Sequence, residues 1–442
     1  MASPSTTTRP RQGRLRTHLD DRMYRTGYYL IIGTGASGVL GVAFWALAAR
    51  SYTAHVVGLS AAAVSALALV SGVCSLGLSA VLVRYLPVAG VHTRPLIVRS
   101  YALTVLLSLA IGAGVALTSD IWSPSLGFLD EGLWPVGFAV ATAAMTLFTL
   151  QDSALTGLQG AAWIPLENTL YAVAKLVLLA IVAGFLPFAG PFVAWNAPLI
   201  PAILLINYLI FRRLIPRMPR GGGLERRKVL AMAAGNYGGN LFGLLGNMYL
   251  PILVANRTSA TEAAYFYVPW MISITVELVA LNMMTSLTVE AALDMPRLRY
   301  LSRRALRQSM RLVVPVAGLT MLLAPFGLLL FGSEYSDAGT DLLRLLALGA
   351  IPNAVVALGG SVARIEHRGW IVSAIQGFQF VFVVALSAAL LPGAGITAVG
   401  FAWTGCQFLL AAVLLATILR PVLFGAGSSE GAVADAPGDD AG

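Results

Sequence analysis

Few ionisable side chains stand deep inside the long apolar stretches of this chain, Asp152, Lys175 and Glu277 among them. A charge at the centre of a hydrocarbon layer costs at least about 2.5–3.5 kcal/mol, so each is a candidate for chemistry. Asp152 and Lys175 fall in consecutive stretches, at depths about one helical turn apart, a gap that a lysine stem can bridge. They suit a buried ion pair tying two helices together, or a pair that couples to a proton or cation or meets a substrate head. Glu277, in Ile274-Thr275-Val276-Glu277-Leu278, has no oppositely charged neighbour in sequence. It suits a proton carrier, or a protonated acid hydrogen-bonded to a neighbouring helix.

Polar and basic residues add to these. Asn236, Asn240 and Asn247 share one helix face. Such amides read hydroxyl-rich ligands, and they also pack helices together alongside small residues. Arg84 and Arg364 close two apolar stretches. They suit an incoming pyrophosphate, or simple anchoring at a membrane surface. Tyr265, Tyr267 and Trp270 open another stretch, either as an interfacial aromatic belt or as a stacking platform for sugars. Arg344, near the start of its stretch, can reach the headgroups along its own stem. Cys74 and Cys406 are far apart in sequence and are expected as single buried thiols. The four histidines show no metal-ligand spacing, and no phosphate-binding glycine loop or nucleophile motif occurs. No metal and no cofactor are expected.

The elements that hold these residues follow from composition. Of 442 residues, 57% are hydrophobic and 11% charged, and mean hydropathy is +0.79. A soluble domain carries roughly 25% charged residues. Twelve apolar runs span 27–49, 57–83, 100–119, 134–158, 165–187, 191–211, 229–255, 262–290, 312–331, 340–363, 369–391 and 394–419. Each approaches or exceeds the ~20 residues needed to cross a bilayer. Lipid cannot satisfy backbone polar groups, so the runs must be helices; nothing shows the alternating segments of about ten residues of a β-barrel. The expected class is an all-α polytopic membrane protein.

The 29 Lys and Arg residues set the orientation. The gaps on the side of both termini hold 25 of them, six in the N-terminal arm and seven in 212–228 among these; the opposite gaps hold two, Arg50 and Arg257. Under the positive-inside rule both termini are cytoplasmic. The net charge of +9 is therefore topology-setting, beside anionic headgroups, and no nucleic-acid partner is expected. Nearly all the basic residues are Arg, which with so much Ala, Gly, Leu and Val suggests a GC-rich bacterial genome and a bacterial cytoplasmic membrane. The first run follows a basic arm but is too long for a signal peptide.

The 212–228 gap divides the runs six and six, and its Pro219-Arg220-Gly221-Gly222-Gly223 suits a linker. The expected plan is a basic arm (1–26), an N-terminal lobe (27–211), this linker, a C-terminal lobe (229–419) and a disordered acidic tail (420–442). The ends of runs one and seven resemble each other, Arg50 and Arg257 each preceding a short polar turn. Loop lengths then recur in parallel, as in transporters with repeated halves.

From Leu40 to Pro87 the chain resembles the start of a polysaccharide flippase. Its marks are the Ser51-Tyr52-Thr53-Ala54 turn, Val57-Gly58-Leu59-Ser60, and Leu76-Gly77-Leu78-Ser79 leading to Val83-Arg84-Tyr85-Leu86-Pro87. The segment Gln151 to Gln159, followed by Glu167-Asn168 and Lys175, is similar too. The family is the multidrug/oligosaccharidyl-lipid/polysaccharide exporter superfamily. The resemblance implies two six-helix bundles forming a V, open alternately to each side. It also implies a lipid-linked oligosaccharide substrate carried by undecaprenyl pyrophosphate. Polysaccharide polymerase and glycosyltransferases would then be partners. The chain departs from the best-known flippases in having few charges within its helices. Competing functions are a drug or cation antiporter of the same fold, a non-transporting scaffold in a polysaccharide-synthesis complex, and a membrane glycosyltransferase. The last would need a catalytic acid in a sizeable external loop, where 119–133 offers only Asp120, Asp130 and Glu131.

Overall fold

The computed structural model describes residues 38–218, 226–293 and 298–424. The arm 1–26, the start of the first run, Pro219–Gly223 and the tail beyond 424 lie outside the described residues, as do the side chains of Asn236 and Asn240. Among the described residues every regular element is a helix. In chain order these are α1 (Gly38–Ser51), α2 (Ala54–Cys74), α3 (Leu78–Tyr85), α4 (Thr93–Leu117), α5 (Ser119–Trp122), α6 (Trp134–Gly157), α7 (Ile164–Val182) and α8 (Gly190–Asn196). Then follow α9 (Leu199–Leu209), α10 (Arg226–Arg257), α11 (Ala260–Leu293), α12 (Leu298–Leu329), α13 (Ser333–Ile365), α14 (Gly369–Ala394), α15 (Thr397–Ala416) and α16 (Leu419–Phe424). Nine helical segments among the described residues are long and apolar enough to cross a membrane. α10 and α11 run for 32 and 34 residues. The chain is an all-α, multi-pass membrane protein, and within the described residues the expected apolar runs are helical.

Two runs are broken. The second divides at Leu76 and Gly77, whose φ angles are 49° and 68°. Gly77 adopts that left-handed conformation without steric cost, and it ends α2 so that α3 starts on a new axis. The 21 residues of α2 reach about 31 Å and can cross the apolar layer alone. The sixth run divides around Pro198, which separates α8 from α9. The start of the expected acidic tail is also different: 420–424 belong to α16. Val422 and Leu423 are buried there, and Arg303 Nε donates to the Leu423 carbonyl over 2.8 Å.

By packing, the described residues form two compact units, one within Met1–Tyr267 with Leu330–Gly332, the other within Val268–Leu329 with Ser333–Gly442. At the centre of the first unit lies α2, buried almost all round and rich in small residues. A Cβ at Gly58 would strike the Ala260 carbonyl and the Ala264 backbone nitrogen of α11, so only glycine lets these backbones approach. Hydroxyls join three helices inside this unit. Ser108 of α4 and Thr146 of α6 are 2.8 Å apart, and Thr146 Oγ1 donates to Ser71 of α2 over 3.1 Å. The 119–133 connection is pinned to the end of α10. Ser123 donates to Asn256 Oδ1 (2.7 Å), Ser125 to the Ala255 carbonyl (2.6 Å), and Asn256 Nδ2 to the Trp122 carbonyl (3.2 Å). In the second unit Thr404 of α15 donates to the Leu345 carbonyl of α13 over 2.6 Å. Both cysteines are free and buried.

Candidate functional site

The expected pair of Asp152 and Lys175 does not form. Lys175 is buried in an aromatic nest, its Nζ 3.6 Å from the ring centre of Trp195, 5.1 Å from Tyr171 and 5.4 Å from Phe44. Tyr171 fixes the nest by donating to the Trp195 carbonyl over 2.8 Å. Trp45 extends it, 5.6 Å from Trp195 and 4.8 Å from Tyr267. No carboxylate pairs with Lys175 among the described residues. Aromatic faces stabilise such a cation by about 0.5–2 kcal/mol, and they leave its N–H donors for another group.

Asp152 sits in a different cluster, with Glu167 and Tyr101 within electrostatic reach and Asn168 beside it. Gln151 Nε2 donates to Glu167 Oε1 over 3.3 Å. Four polar atoms here are buried without a hydrogen-bond partner: Tyr101 OH, Gln151 Oε1, Asp152 Oδ1 and Glu167 Oε2. Three of the four are pure acceptors, so the cluster is short of donors. A proton, an ammonium group or a small cation would satisfy it. Glu167, only 3% exposed, stands in the sequence as no more than a mark of the family resemblance. Its signal was available: it falls two residues inside the fifth apolar run.

A cavity of about 930 Å3 is lined by α3 and its C-terminal turn, with Ser153 of α6 and Met232 of α10. Arg84 is the one charged residue among the described residues of its wall, beside Ser79, Tyr85 and Ser153. The break at Leu76-Gly77 therefore puts a candidate anion-binding arginine on a cavity. Discontinuous helices serve membrane binding sites in this way.

In the second unit Trp403 Nε1 of α15 donates to Glu277 Oε1 of α11 over 2.9 Å. Glu277 thus has a neighbouring-helix partner, one the sequence could not indicate. Trp270 is buried and packs edge-on against Trp403, with ring centres 4.9 Å apart. Tyr267 likewise packs against another aromatic, Trp45, with ring centres 4.8 Å apart. Arg364 donates to the Gly360 carbonyl of its own helix over 3.2 Å, and Asn247 to the Gly243 carbonyl of its own over 2.9 Å. Arg344 meets Asp341 at 3.4 Å on an exposed surface.

No family model and no curated protein matches the sequence. Solved structures do. An inward-facing multidrug resistance MATE family transporter of the MOP superfamily superposes with a TM-score of 0.71 at 15% identity, covering 87% of this chain and 94% of that one. The lipid II flippase MurJ, in an inward closed conformation, gives 0.71 at 12% identity, covering 88% and 86%. A MOP superfamily transporter from Pyrococcus furiosus, described as having a binding pocket of reverse polarity, gives 0.61 at 15% identity, covering 90% and 95%. At these identities the likeness is one of architecture: the chain has the fold of the MOP superfamily membrane transporters.

Proposed function

We propose that this chain is a membrane transporter that moves lipid-linked oligosaccharide or polysaccharide precursors across a bacterial cytoplasmic membrane by alternating access. The observation that carries this reading is the wall of the large cavity. Among the described residues of that wall Arg84 is the only charge, hydroxyls of Ser79, Tyr85 and Ser153 accompany it, and no carboxylate is present. A guanidinium among hydroxyls suits a pyrophosphate joined to a sugar; it repels an organic cation. The likeness to MurJ, described as a lipid II flippase, agrees with that chemistry. In this reading Arg364, Asn236, Asn240 and Asn247 add further substrate contacts. Lys175 with its unused donors, Asp152 and Glu277 serve coupling. The helices before and after 212–228 act as two lobes, both termini are cytoplasmic, and glycan polymerase and glycosyltransferases are neighbours in the membrane.

A second reading is a cation-coupled drug antiporter. The donor-poor cluster of Asp152 and Glu167 favours it, as does the likeness to a multidrug resistance transporter. A deletion strain separates the two. The flippase reading expects loss of one surface glycan and accumulation of its lipid-linked precursor. Unchanged glycan with raised sensitivity to cationic drugs would replace it with the antiporter.

A further inference from the structure

A second, smaller cleft of about 210 Å3 lies between α7 and α9 and shares no lining residue with the cavity at Arg84. Its walls are Trp163, Leu166, Leu170 and Leu205, with two charges of opposite sign, Glu167 and Arg213. The three leucines are 50%, 52% and 60% exposed, so in a bilayer this wall faces acyl chains. Arg213 is exposed and lies in the arginine-bearing turn that follows α9. Glu167 is its opposite in setting: buried, with Oε1 occupied by Gln151 and Oε2 lacking any donor.

We propose that this cleft binds an aminophospholipid, a zwitterionic lipid with a primary ammonium and a phosphodiester. The ammonium supplies the donor that Glu167 lacks. The phosphodiester meets the Arg213 guanidinium, and the acyl chains lie along the leucine wall. Charge complementarity selects this occupant. An anionic lipid such as phosphatidylglycerol satisfies Arg213 but offers the carboxylate only neutral hydroxyl donors, with no positive charge to balance it. A choline headgroup carries the positive charge but no N–H to give. Asp152 nearby adds negative charge and favours the ammonium further. The volume admits a small headgroup, and no residue of this cleft lines the proposed transport cavity.

The test is lipid retention by the purified, delipidated full-length protein, read by native mass spectrometry. Phosphatidylethanolamine, phosphatidylcholine and phosphatidylglycerol with identical acyl chains are compared. Phosphatidylethanolamine should be retained about tenfold more strongly than either of the others, the scale of one charge-assisted hydrogen bond. Glu167→Gln and Arg213→Gln should each reduce it to the phosphatidylcholine level, while Arg344→Gln should change nothing. If Glu167→Gln does not fold, Arg213→Gln at the exposed rim decides alone. Equal retention of the three lipids, a preference for phosphatidylglycerol, or retention unchanged in Arg213→Gln overturns the proposal.

Discussion

The indole N–H of Trp403 is 2.9 Å from Glu277 Oε1 and joins α15 to α11. Glutamine at 277 would keep an oxygen to accept this bond but could not ionise. Glu277→Gln should therefore fold and elute as the parent does in size-exclusion chromatography, yet lose transport in proteoliposomes; Glu277→Asp should keep part of it. Full transport by Glu277→Gln would make the residue structural. Trp403→Phe removes the donor and should lower stability by about 1–3 kcal/mol.

Lys175 and Asp152 should behave as independent residues. A double-mutant cycle of Lys175→Met and Asp152→Asn should show additivity within about 0.5 kcal/mol in thermal or denaturant unfolding. Methionine in the aromatic nest should fold normally, since an apolar side chain replaces a buried charge. A coupling energy well above that limit would mean that the two side chains do pair.

Arg84 should matter for substrate and little for stability. Arg84→Gln should reduce transport of a lipid-linked pyrophosphate at least tenfold, about the weight of a charge-assisted contact. Arg84→Lys should be intermediate, because an ammonium keeps the charge and loses the fork. Initial rates of precursor translocation in vesicles provide the measurement, and equal rates in all three proteins would remove Arg84 from the site.

Gly58 should tolerate no side chain. A methyl there collides with the backbone of Ala260 and Ala264, and overpacking of this kind costs about 1–3 kcal/mol. The control is Gly137→Ala, where nothing lies within 4 Å. Only the first substitution should lower the melting temperature in detergent.

Orientation can be checked directly. A reporter fused after Arg420 should be active only in a form that works in the cytosol, given 25 basic residues on that side and two on the other. Activity of a periplasmic reporter there would reverse the topology.

The helices were legible because a bilayer demands long apolar runs, and few other structures produce them. Their breaks were less so. Leu76 and Leu78 kept the second run apolar through its turn, and only Gly77 hinted at the change of direction. Site residues were harder. Depth along a helix can be read from sequence, but rotation toward a partner cannot. Lys175 was at a depth from which it could reach Asp152, yet the rings that hold it come from α1, α7 and α8. Glu167 passed as the edge of a run although it is buried. Arg84 was legible as a cation at a helix end; that its neighbours form a cavity depends on the path of α3 after the break.

Ser71, Ser108 and Thr146 come from three different helices and spend their hydroxyls on one another and on the backbone. Replacing Thr146, which touches both others, by an apolar residue strands Ser71 and Ser108 in a dry interior, whereas replacing all three leaves nothing stranded. Among related sequences these positions should therefore change together or not at all: polar in one lineage, uniformly aliphatic in another, with mixed combinations rare. Such a correlated triplet would be a record, kept in sequence variation, of where α2, α4 and α6 touch.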